Sequence, residues 1–458
     1  FPSIPHHSHP PMPSLFSEQQ RLHAARRLAA HLAAALDLPV SLRLWDGTIV
    51  PLGSNADPTR FFSVAHAGVL GALLRRPTLE TLYRLFACGH LDIHGADFMG
   101  FLEIVQQRRK AQGSKKLWRR LRRGFPWGCV PALITAPEPP ATPDHRYAGD
   151  ETGYAREKRH NRSLIQFHYD VSNDFYRLFL DQEMVYSCGY FSHWDNALDQ
   201  AQRDKLDHIC RKLRLEPGER FLDIGCGWGA LVCHAAQHYG VQAEGVTLSQ
   251  EQLDYAREKI ARLGLEDRVK VSLQDYVTLE GRYHKIASIG MYEHVGIANY
   301  PGYFRKVISL LEDRGIFLNH GITRRAKLAG RTAGRISASR RVLLKYIFPG
   351  SELDDIGHTL QVMEGCGLEV HDVENLRPHY GRTCRLWYQR LLAQEEAAIA
   401  AVGYERYRMW LVYLAAVALT FEIGAMRIYQ TVTTKRAPMA GAVLPPTRAD
   451  LYAARDSG

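Results

Sequence analysis

The sequence has few cysteines, and no two of them have the spacing of a metal site. Its 458 residues include only eight cysteines, which is too few for a disulfide-stapled scaffold. None of them forms a C-x₂-C pair of the kind that binds zinc. We therefore expect free thiols in a reducing, cytoplasmic compartment and no metal centre.

Long apolar runs are also lacking. No stretch reaches the roughly 20 apolar residues that a membrane-spanning helix requires. The most apolar stretch, residues 409–421, is preceded by Arg408 and followed by Glu422, which is typical of a buried helix. Residues 1–16 are rich in Pro and His and lack the charged and apolar regions of a signal peptide, so we expect a disordered tail there.

Acidic residues are absent from two stretches of the chain. Residues 108–123 contain nine Lys/Arg, and residues 324–345 contain eight. Because these exceed the net charge of +10, the remaining sequence is acidic on balance. Such confined basic charge is typical of a surface that binds a polyanion, either nucleic acid or an anionic membrane. Two solvated helix faces are the alternative, although such faces usually interleave both signs.

Changes in composition divide the chain into five segments. After the tail at residues 1–16, residues 17–107 mix short apolar runs with Gly and Pro, which indicates a small N-terminal α+β domain. The basic and then Pro-rich residues 108–152 are typical of a linker. Residues 153–436 alternate strand and helix patterns, which predicts an α/β domain with a doubly wound, Rossmann-like parallel sheet. Residues 437–458 are a C-terminal tail.

A glycine-rich turn follows the first predicted strand of that sheet. Asp223 precedes Gly225, Gly227 and Gly229, and such glycines allow a tight turn and the close approach of a ligand to the backbone. The G-x-G-x-G spacing differs from the dinucleotide fingerprint. An acid two residues before the first glycine favours a ligand with an ammonium group, and S-adenosyl-L-methionine has that chemistry.

Three further segments fall at the predicted carboxyl ends of strands, where open α/β sheets bind ligands. Residues 247–252 follow the second strand, where a ribose would bind. Asp275 follows the third strand, where it could bind an adenine edge, and residues 291–296 follow the fourth. The cofactor-binding residues predicted from these segments and the glycine turn are Asp223, Gly225, Gly227, Gly229, Thr247, Leu248, Gln252, Asp275 and Tyr276.

Several motifs, in their order along the chain, resemble the cyclopropane-fatty-acyl-phospholipid synthase family. They are residues 168–176 (HYDVSNDFY), 186–191 (YSCGYF), 291–296 (MYEHVG), 348–350 (FPG) and 380–383 (YGRT). The resemblance implies a methyltransferase-type sheet, in which Tyr169, Tyr186 and Ser187 also contact the cofactor. Gly189 departs from the alanine that is usual in the family.

The resemblance implies transfer of the methyl carbon of S-adenosyl-L-methionine to a cis double bond of an unsaturated phospholipid acyl chain, which forms a cyclopropane ring. Attack by the alkene leaves a carbocation, so the pocket must exclude water and can stabilise the cation with aromatic rings. The family also implies a bound bicarbonate ion as general base. The residues expected to be catalytic are Glu293, His320, Tyr380 and Cys188, and those expected to bind bicarbonate are Cys188, Glu293, His320, Ile322 and Tyr380.

The family further implies a homodimer that docks peripherally, through its N-terminal domain, on the anionic phospholipid surface of the inner membrane from the cytoplasm. A methyl-branched or methylene product is one alternative. A methyltransferase that acts on a different small molecule or on nucleic acid is another. No Asn/Asp-Pro-Pro-Tyr/Phe tetrapeptide follows the fourth strand, so we expect no nucleic-acid partner. A lipid-transfer protein without activity is the third, and the joint presence of Glu293, His320 and Tyr380 argues against it.

Overall fold

The chain forms two compact units, which comprise residues 1–144 with 404–409 and residues 145–403 with 410–458. A computed structural model describes residues 15–112, 119–139, 172–326, 342, 345–347, 351–436 and 444–452. Four features discussed above lie wholly or mostly outside these residues: the N-terminal tail, Tyr169, the FPG motif, and the second basic stretch.

The first unit, in its described part, contains a four-stranded sheet with helices. Its elements are α1 (Glu18–Leu36), β1 (Val40–Arg43), β2 (Ile49–Pro51), β3 (Asp57–Val64), α2 (Ala67–Arg75), α3 (Leu79–Ala87), β4 (Leu91–His94), α4 (Phe98–Gln112), a 3₁₀ turn (Trp127–Cys129) and α5 (Val130–Ile134). The strand order is β2-β1-β3-β4. Strand β3 is parallel to β1 and antiparallel to β4, and β1 is antiparallel to β2, which confirms the predicted α+β class.

Local sequence signals explain where these elements begin. Ser17 and Gln20 form a reciprocal capping box at the start of α1, since each side chain satisfies a backbone N–H that the helix leaves unpaired. Gly47 turns the chain between β1 and β2 at a φ of 86°. Part of the predicted linker belongs to this unit, because Leu133 is fully buried and packs in its core.

The second unit carries the larger sheet. Its elements are α6 (Asn173–Arg177), α7 (Leu198–Leu213), β5 (Arg220–Ile224), α8 (Ala230–Tyr239), β6 (Gln242–Thr247), α9 (Gln250–Arg262), β7 (Val269–Leu273), β8 (Tyr283–Ile289), α10 (Tyr300–Leu310), β9 (Leu311–Arg324), α11 (Ile356–Cys366), β10 (Leu368–Asn375), α12 (Arg377–Leu392), α13 (Glu395–Val402), α14 (Tyr404–Glu422), β11 (Met426–Lys435) and α15 (Ala449–Tyr452). The first six residues of α14, 404–409, are assigned to the first unit. Short 3₁₀ turns span Tyr276–Thr278, Tyr292–His294 and Ile297–Asn299.

Seven strands of this unit form one sheet in the order β10-β11-β9-β8-β5-β6-β7. The five strands β5 to β9 are parallel to their neighbours among themselves, which confirms the predicted Rossmann-like α/β class. The sheet is mixed rather than wholly parallel, because β11 runs antiparallel to both β9 and β10. We did not predict β10 or β11, and the buried Thr and Gln side chains of β11 explain why hydrophobic periodicity does not reveal it.

The order of the strands places a crevice above β5. Strand β5 lies between β6 and β8, so successive connections leave it in opposite directions. In open α/β sheets, ligands bind outside the carboxyl ends of the strands at such a switch point. The glycine turn after Ile224 therefore begins where a ligand is expected.

The apolar stretch at residues 409–421 lies in α14, where Leu414, Ala418 and Phe421 have no exposed surface. Within the described residues, no helix combines the length and apolar character needed to cross a membrane. The predicted C-terminal tail is partly structured, because Leu451 in α15 is buried and Asp450 forms an ion pair with Arg214 at 2.9 Å.

Candidate active site

The glycine turn after β5 has the backbone conformation that the sequence predicts. Gly225, Gly227 and Gly229 have φ values of 82°, 54° and 81°, a region that residues with a side chain enter at a cost. A Cβ atom at Gly225 would lie 3.1 Å from the Cβ of Met291. Only glycine fits this position without strain.

A cavity opens beside this turn, at the carboxyl ends of β5 to β8, and we call it the strand-end cavity. It is lined by ten of the predicted cofactor-binding residues: Tyr186, Ser187, Asp223, Gly225, Gly227, Thr247, Leu248, Gln252, Asp275 and Tyr276. Gly229 is not among its lining residues and instead begins α8, where its missing side chain leaves room for Ala256. Whether Tyr169 contacts a cofactor stays a prediction.

A buried carboxyl group and a buried amine lie in the wall of the strand-end cavity. Asp223 is 2% exposed, and within the described part of the chain its Oδ1 has no hydrogen-bond partner. Burial raises the pKa of Asp223 to about 7, and the nearby Lys205 opposes that rise. Burial lowers the pKa of Lys205 to about 8, and its Nζ donates a hydrogen bond to Ser187 Oγ at 3.0 Å.

Sequence analysis missed Lys205, although its spacing gives a signal. It falls on α7 four residues after Ala201 and four before Ile209, both of which are completely buried. A lysine on the apolar face of a helix needs a buried partner. A charged residue on the apolar face of a helix, in a domain with a predicted cofactor turn, therefore indicates a residue of the site.

The polar residues at the ends of β6 and β7 are fixed by hydrogen bonds of their own. The hydroxyl of Thr247 donates to Gln252 Oε1 at 2.7 Å. Asp275 Oδ1 accepts the backbone N–H of Val277 at 3.0 Å, which caps the turn Tyr276–Thr278. These side chains are therefore ordered at the cavity by the protein itself.

A second cavity, which we call the inner cavity, adjoins the first. It contains all five residues predicted to bind bicarbonate: Cys188, Glu293, His320, Ile322 and Tyr380. Its wall also includes Ser351, Leu353, Tyr413, Val417, Met426 and Ile428. Four residues line both cavities, namely Tyr186, Ser187, Gly290 and His294, so the two cavities share part of their wall.

Glu293 is the acidic group of the inner cavity. Its Oε1 accepts the backbone N–H of Ile322 at 2.6 Å, whereas its Oε2 is buried and has no partner among the described residues. Burial raises the pKa of Glu293 to about 7, although the hydrogen bond from Ile322 opposes the rise. We expected the N–H of Ile322 to bind an anion, but here it holds the carboxyl group of Glu293.

His320 is one of two histidines that line the inner cavity, with His294, and it is completely buried. Its Nδ1 lies 3.2 Å from Nε2 of Gln430, and its Nε2 has no partner in the described parts of the chain. Burial lowers the pKa of His320 to about 3, and the positive charges of Lys205 and Lys212 add to that effect. The ring is therefore neutral at ordinary pH.

Cys188 lines the inner cavity, as we expected, and its thiol contacts the protein backbone. Its Sγ lies 3.2 Å from the carbonyl oxygen of Gly189 and 3.8 Å from that of Leu376, so the S–H donates to the backbone. Burial raises the pKa of the Cys188 thiol, which keeps it protonated. Gly189 is tightly enclosed, since a Cβ there would lie 3.3 Å from both Ala201 Cβ and Thr383 Oγ1.

Aromatic rings form much of the remaining wall. The hydroxyl groups of Tyr186 and Tyr413 lie 3.2 Å apart. Tyr380 is 9% exposed, and burial raises its pKa well above the usual value, so its hydroxyl stays protonated. The ring of Tyr380 packs 4.6 Å from that of Phe421.

Comparisons with known proteins identify the family. The family model described as mycolic acid cyclopropane synthetase matches residues 156–431. A probable fatty acid methyltransferase of Pseudomonas putida is 37% identical over 420 residues, which are 91% of this chain and 97% of that protein. The chain belongs to the mycolic acid cyclopropane synthetase family. The resemblance to cyclopropane synthases is thereby confirmed.

Other members of the mycolic acid cyclopropane synthetase family match a shorter part of the chain. Cyclopropane mycolic acid synthase 1 of Mycobacterium tuberculosis is 36% identical over 271 residues, which are 58% of this chain and 94% of that protein. Two solved structures agree in fold. The cyclopropane synthase MmaA2 of Mycobacterium tuberculosis is 32% identical with a TM-score of 0.56, and covers 60% of this chain and 98% of its own. CmaA1 complexed with SAH and CTAB is 34% identical with a TM-score of 0.57, and covers the same shares.

Proposed function

We propose that the protein transfers the methyl carbon of S-adenosyl-L-methionine to a cis double bond in an acyl chain of a phospholipid, and that a bound bicarbonate ion then removes the proton that allows a cyclopropane ring to close. The observation that carries this proposal is a pair of buried atoms with no partner among the described residues, Glu293 Oε2 and His320 Nε2, in a cavity that adjoins the strand-end cavity. Buried polar atoms normally have partners, so these two indicate a polar ligand.

The strand-end cavity fits S-adenosyl-L-methionine, which supplies a methyl group on a positively charged sulfur when it is bound. Asp223 Oδ1, which has no partner in the described part of the chain, can accept a hydrogen bond from an ammonium group. Thr247, Gln252 and Asp275 offer polar groups at the neighbouring strand ends. The similar CmaA1 structure is a complex with SAH, and we propose that this chain binds the related methyl donor in the strand-end cavity.

The walls of the inner cavity suit a reaction at a double bond. An alkene is a weak nucleophile, and its attack on a methyl group leaves a positive carbon that water would capture. Tyr186, Tyr380 and Tyr413 line the cavity, and electron-rich ring faces stabilise a cation. Val417 and Ile428 add apolar wall against which an acyl chain can pack.

The inner cavity also fits bicarbonate, which supplies a small replaceable base when it is bound. Glu293 Oε2 can accept the O–H of the ion, and His320 Nε2 and the hydroxyl of Tyr380 can donate to its oxygens. A carboxylate in direct contact with the methyl donor would be at risk of methylation. Glu293 can avoid that risk because it holds the base and does not itself remove the proton.

A phospholipid substrate is supported by the length of the matching relatives. The fatty acid methyltransferase of Pseudomonas putida matches 91% of the chain, whereas cyclopropane mycolic acid synthase 1 matches 58%. The family model begins at residue 156, after the first unit. We therefore propose that the first unit helps the protein to reach a substrate in a membrane and takes no part in the chemical step.

The first unit has a surface that suits anionic lipid. The side chains of Arg119, Arg120, Arg122 and Arg123 are exposed, and Trp127 nearby in the sequence is 74% exposed. Basic residues beside an exposed tryptophan are typical of membrane-surface binding. We propose peripheral attachment to the inner membrane from the cytoplasm. The homodimer implied by the family stays a prediction.

The activity is tested by incubating the full chain with methyl-labelled S-adenosyl-L-methionine and vesicles of a dioleoyl phospholipid. We expect label in intact phospholipid, and mass-spectrometric fragmentation that locates a ring at the former double bond. Label only in free oleic acid, supplied in a parallel reaction, would contradict the phospholipid proposal. The alternative is a methylene or methyl-branched product: a methylene branch has the same mass as the ring and differs in its fragmentation, whereas a saturated methyl branch requires a later reduction by a separate hydride donor and is heavier by two hydrogens.

The role of bicarbonate is tested in buffer freed of carbon dioxide. We expect turnover to fall and to recover when bicarbonate is added, without a change in the affinity for S-adenosyl-L-methionine. An equal rate in both buffers would contradict a bicarbonate base.

Lipid attachment is tested by replacing the four exposed arginines at residues 119–123 with Gln and measuring sedimentation with anionic vesicles. We expect weaker binding at low salt, because surface charge attraction is screened as salt rises. A control with the same loss of charge replaces Arg257, Arg262, Arg268 and Lys270 of the second unit, which are also exposed. Equal effects of the two sets would contradict a docking surface on the first unit.

A further inference from the structure

His320 and Gln430 form a buried pair at the back of the inner cavity. They are directly opposite each other on the antiparallel strands β9 and β11, so their side chains lie on the same face of the sheet. Neither has any exposed surface, and Gln430 Nε2 lies 3.2 Å from His320 Nδ1. In this orientation of the amide, Gln430 Oε1 is buried and has no partner among the described residues, and the orientation of the amide decides which nitrogen of the ring carries the proton.

An amide nitrogen can only donate a hydrogen bond, so the Nδ1 that receives it must carry a lone pair. A neutral imidazole has one N–H, which must then be on Nε2. The low pKa of His320, caused by burial and by the nearby lysines, keeps the ring neutral. The single proton of the ring is thus directed to the nitrogen that has no protein partner in the described residues.

The opposite orientation of the amide would give the cavity the wrong chemistry. Oε1 of Gln430 would accept a hydrogen bond from Nδ1–H of His320. Nε2 of His320 would then carry a lone pair and no proton. That lone pair and Glu293 Oε2 would then both be acceptors for the same ligand, and an anion would be repelled by both. A donor at His320 is needed if an anion is to bind beside Glu293.

We propose that Gln430 is a positioning residue that holds His320 in its neutral tautomer protonated on Nε2, so that the ring donates a hydrogen bond into the inner cavity. The identity of the acceptor as bicarbonate rests on the proposed function, but the tautomer does not. A neutral donor can bind the anion without protonating it, whereas an imidazolium would weaken it as a base. A carboxylate in place of Gln430 would favour the opposite tautomer.

The tautomer is measured directly by nitrogen NMR of the full chain labelled with [¹⁵N]histidine. The His320 signals are identified by their loss in His320→Gln. We expect a protonated Nε2 and an unprotonated Nδ1, in bicarbonate-free buffer as well as with bicarbonate. A proton on Nδ1 in the wild-type protein would overturn the proposal.

A substitution of Gln430 tests the cause. In Gln430→Glu, the carboxylate should accept a hydrogen bond from Nδ1, so the proton should move there, and turnover should fall roughly 100-fold, as is common for residues that orient a histidine ligand. Thr433→Val is the matched control, because Thr433 is equally buried on β11 but on the opposite face. It should leave the His320 signals unchanged. An unchanged tautomer in folded Gln430→Glu would overturn the proposal.

Gln430→Leu provides a second variant if a buried glutamate prevents folding, which thermal melting would reveal. Without the amide donor, we expect a mixture of the two tautomers. A ring that remains fully protonated on Nε2 in Gln430→Leu would show that Gln430 does not set the tautomer. A wild-type protein with Nε2 protonated but with a bicarbonate-independent rate would refute the bicarbonate proposal and still support the role of Gln430.

Discussion

The strand-end cavity and the inner cavity share four residues, yet they are built in different ways. The first is formed by backbone turns at the ends of neighbouring strands, with glycines at positive φ and with side chains such as Thr247 and Asp275 that bond to nearby protein groups, although Asp223 Oδ1 has no partner among the described residues. The second is formed by side chains from distant parts of the chain, two of which leave buried polar atoms without partners among the described residues. The first arrangement suits binding of a large ligand by shape, and the second suits chemistry on a small one.

Glu293→Gln should have the largest effect of the substitutions, and it should affect turnover but not the binding of the cofactor in the strand-end cavity. We expect turnover to fall by about 10² to 10⁴-fold, the usual effect of losing a group that handles a proton, while the affinity for S-adenosyl-L-methionine stays close to that of the wild type. Turnover is measured with labelled cofactor and affinity by calorimetry. Glu369→Gln, an exposed site on β10, is the control, and near-normal turnover in Glu293→Gln would remove Glu293 from the mechanism.

The same variant should change how stability depends on pH. Because burial raises the pKa of Glu293 from 4.5 to about 7, the folded protein binds this proton more tightly than the unfolded chain. The contribution of Glu293 to stability is therefore fully present below about pH 4.5 and is lost as pH rises through 7. Above pH 7, Glu293→Gln should be more stable than the wild type by up to about 3 kcal/mol.

Thermal melting at pH 5 and pH 8 measures this effect. We expect the melting temperature of Glu293→Gln to exceed that of the wild type by more at pH 8 than at pH 5. The difference between Glu369→Gln and the wild type should not change with pH. A constant difference for Glu293→Gln would show that its carboxyl group titrates normally.

Asp223→Asn should affect the strand-end cavity instead. The loss of a charged hydrogen-bond acceptor should weaken binding of S-adenosyl-L-methionine by about 10 to 100-fold, and turnover at saturating cofactor should fall much less than in Glu293→Gln. Calorimetry measures the affinity, and Asp254→Asn on the exposed face of α9 is the control. If turnover falls as far as in Glu293→Gln while affinity is retained, then the assignment of cofactor binding to the strand-end cavity and of the chemical step to the inner cavity is wrong.

Gly225→Ala tests the backbone of the strand-end cavity. A non-glycine residue at a φ of 82° costs about 1–2 kcal/mol, and its Cβ would press on Met291. We expect lower stability in thermal melting and weaker cofactor binding. Gly302→Ala is the control, because this glycine lies in α10 with no atom within 4 Å of an added Cβ, and it should be neutral or slightly stabilising.

Cys188→Ser should have the smallest effect. The thiol donates to backbone carbonyl groups and stays protonated, so a serine hydroxyl can replace it. We expect turnover to fall by less than about 10-fold, since a single neutral hydrogen bond contributes only about 1 kcal/mol. A loss as large as that of Glu293→Gln would support the catalytic role that the family resemblance implies for Cys188.

Sequence reasoning succeeded where function depends on backbone conformation. The glycines after β5 indicate a turn that few other residues can form, and the order of strands and helices then places the neighbouring segments at one edge of the sheet. The catalytic set Glu293, His320 and Tyr380 came from motif resemblance, and the structure brings these residues to one cavity.

The elements that sequence reasoning missed carry polar residues in buried positions. Strand β11 contributes Gln430, whose importance depends on its register against His320, and register between distant strands cannot be read from periodicity. Lys205 was missed for a different reason, since its place on the apolar face of α7 is visible in the sequence but its partner Ser187 is not. The hydrogen bond from Ile322 N–H to Glu293 was also not predicted, because the sequence does not show which group a backbone N–H at the end of a strand will bind.

That last hydrogen bond ties the acid to the strand that carries the histidine. His320 and Ile322 are two residues apart on β9, so their side chains point to the same face of the sheet. The carboxyl group of Glu293 accepts a hydrogen bond from the backbone N–H of Ile322. The distance between Glu293 and His320 is therefore set by two neighbouring positions on the central strand β9. Small shifts among the surrounding helices would displace both groups together and leave their separation intact.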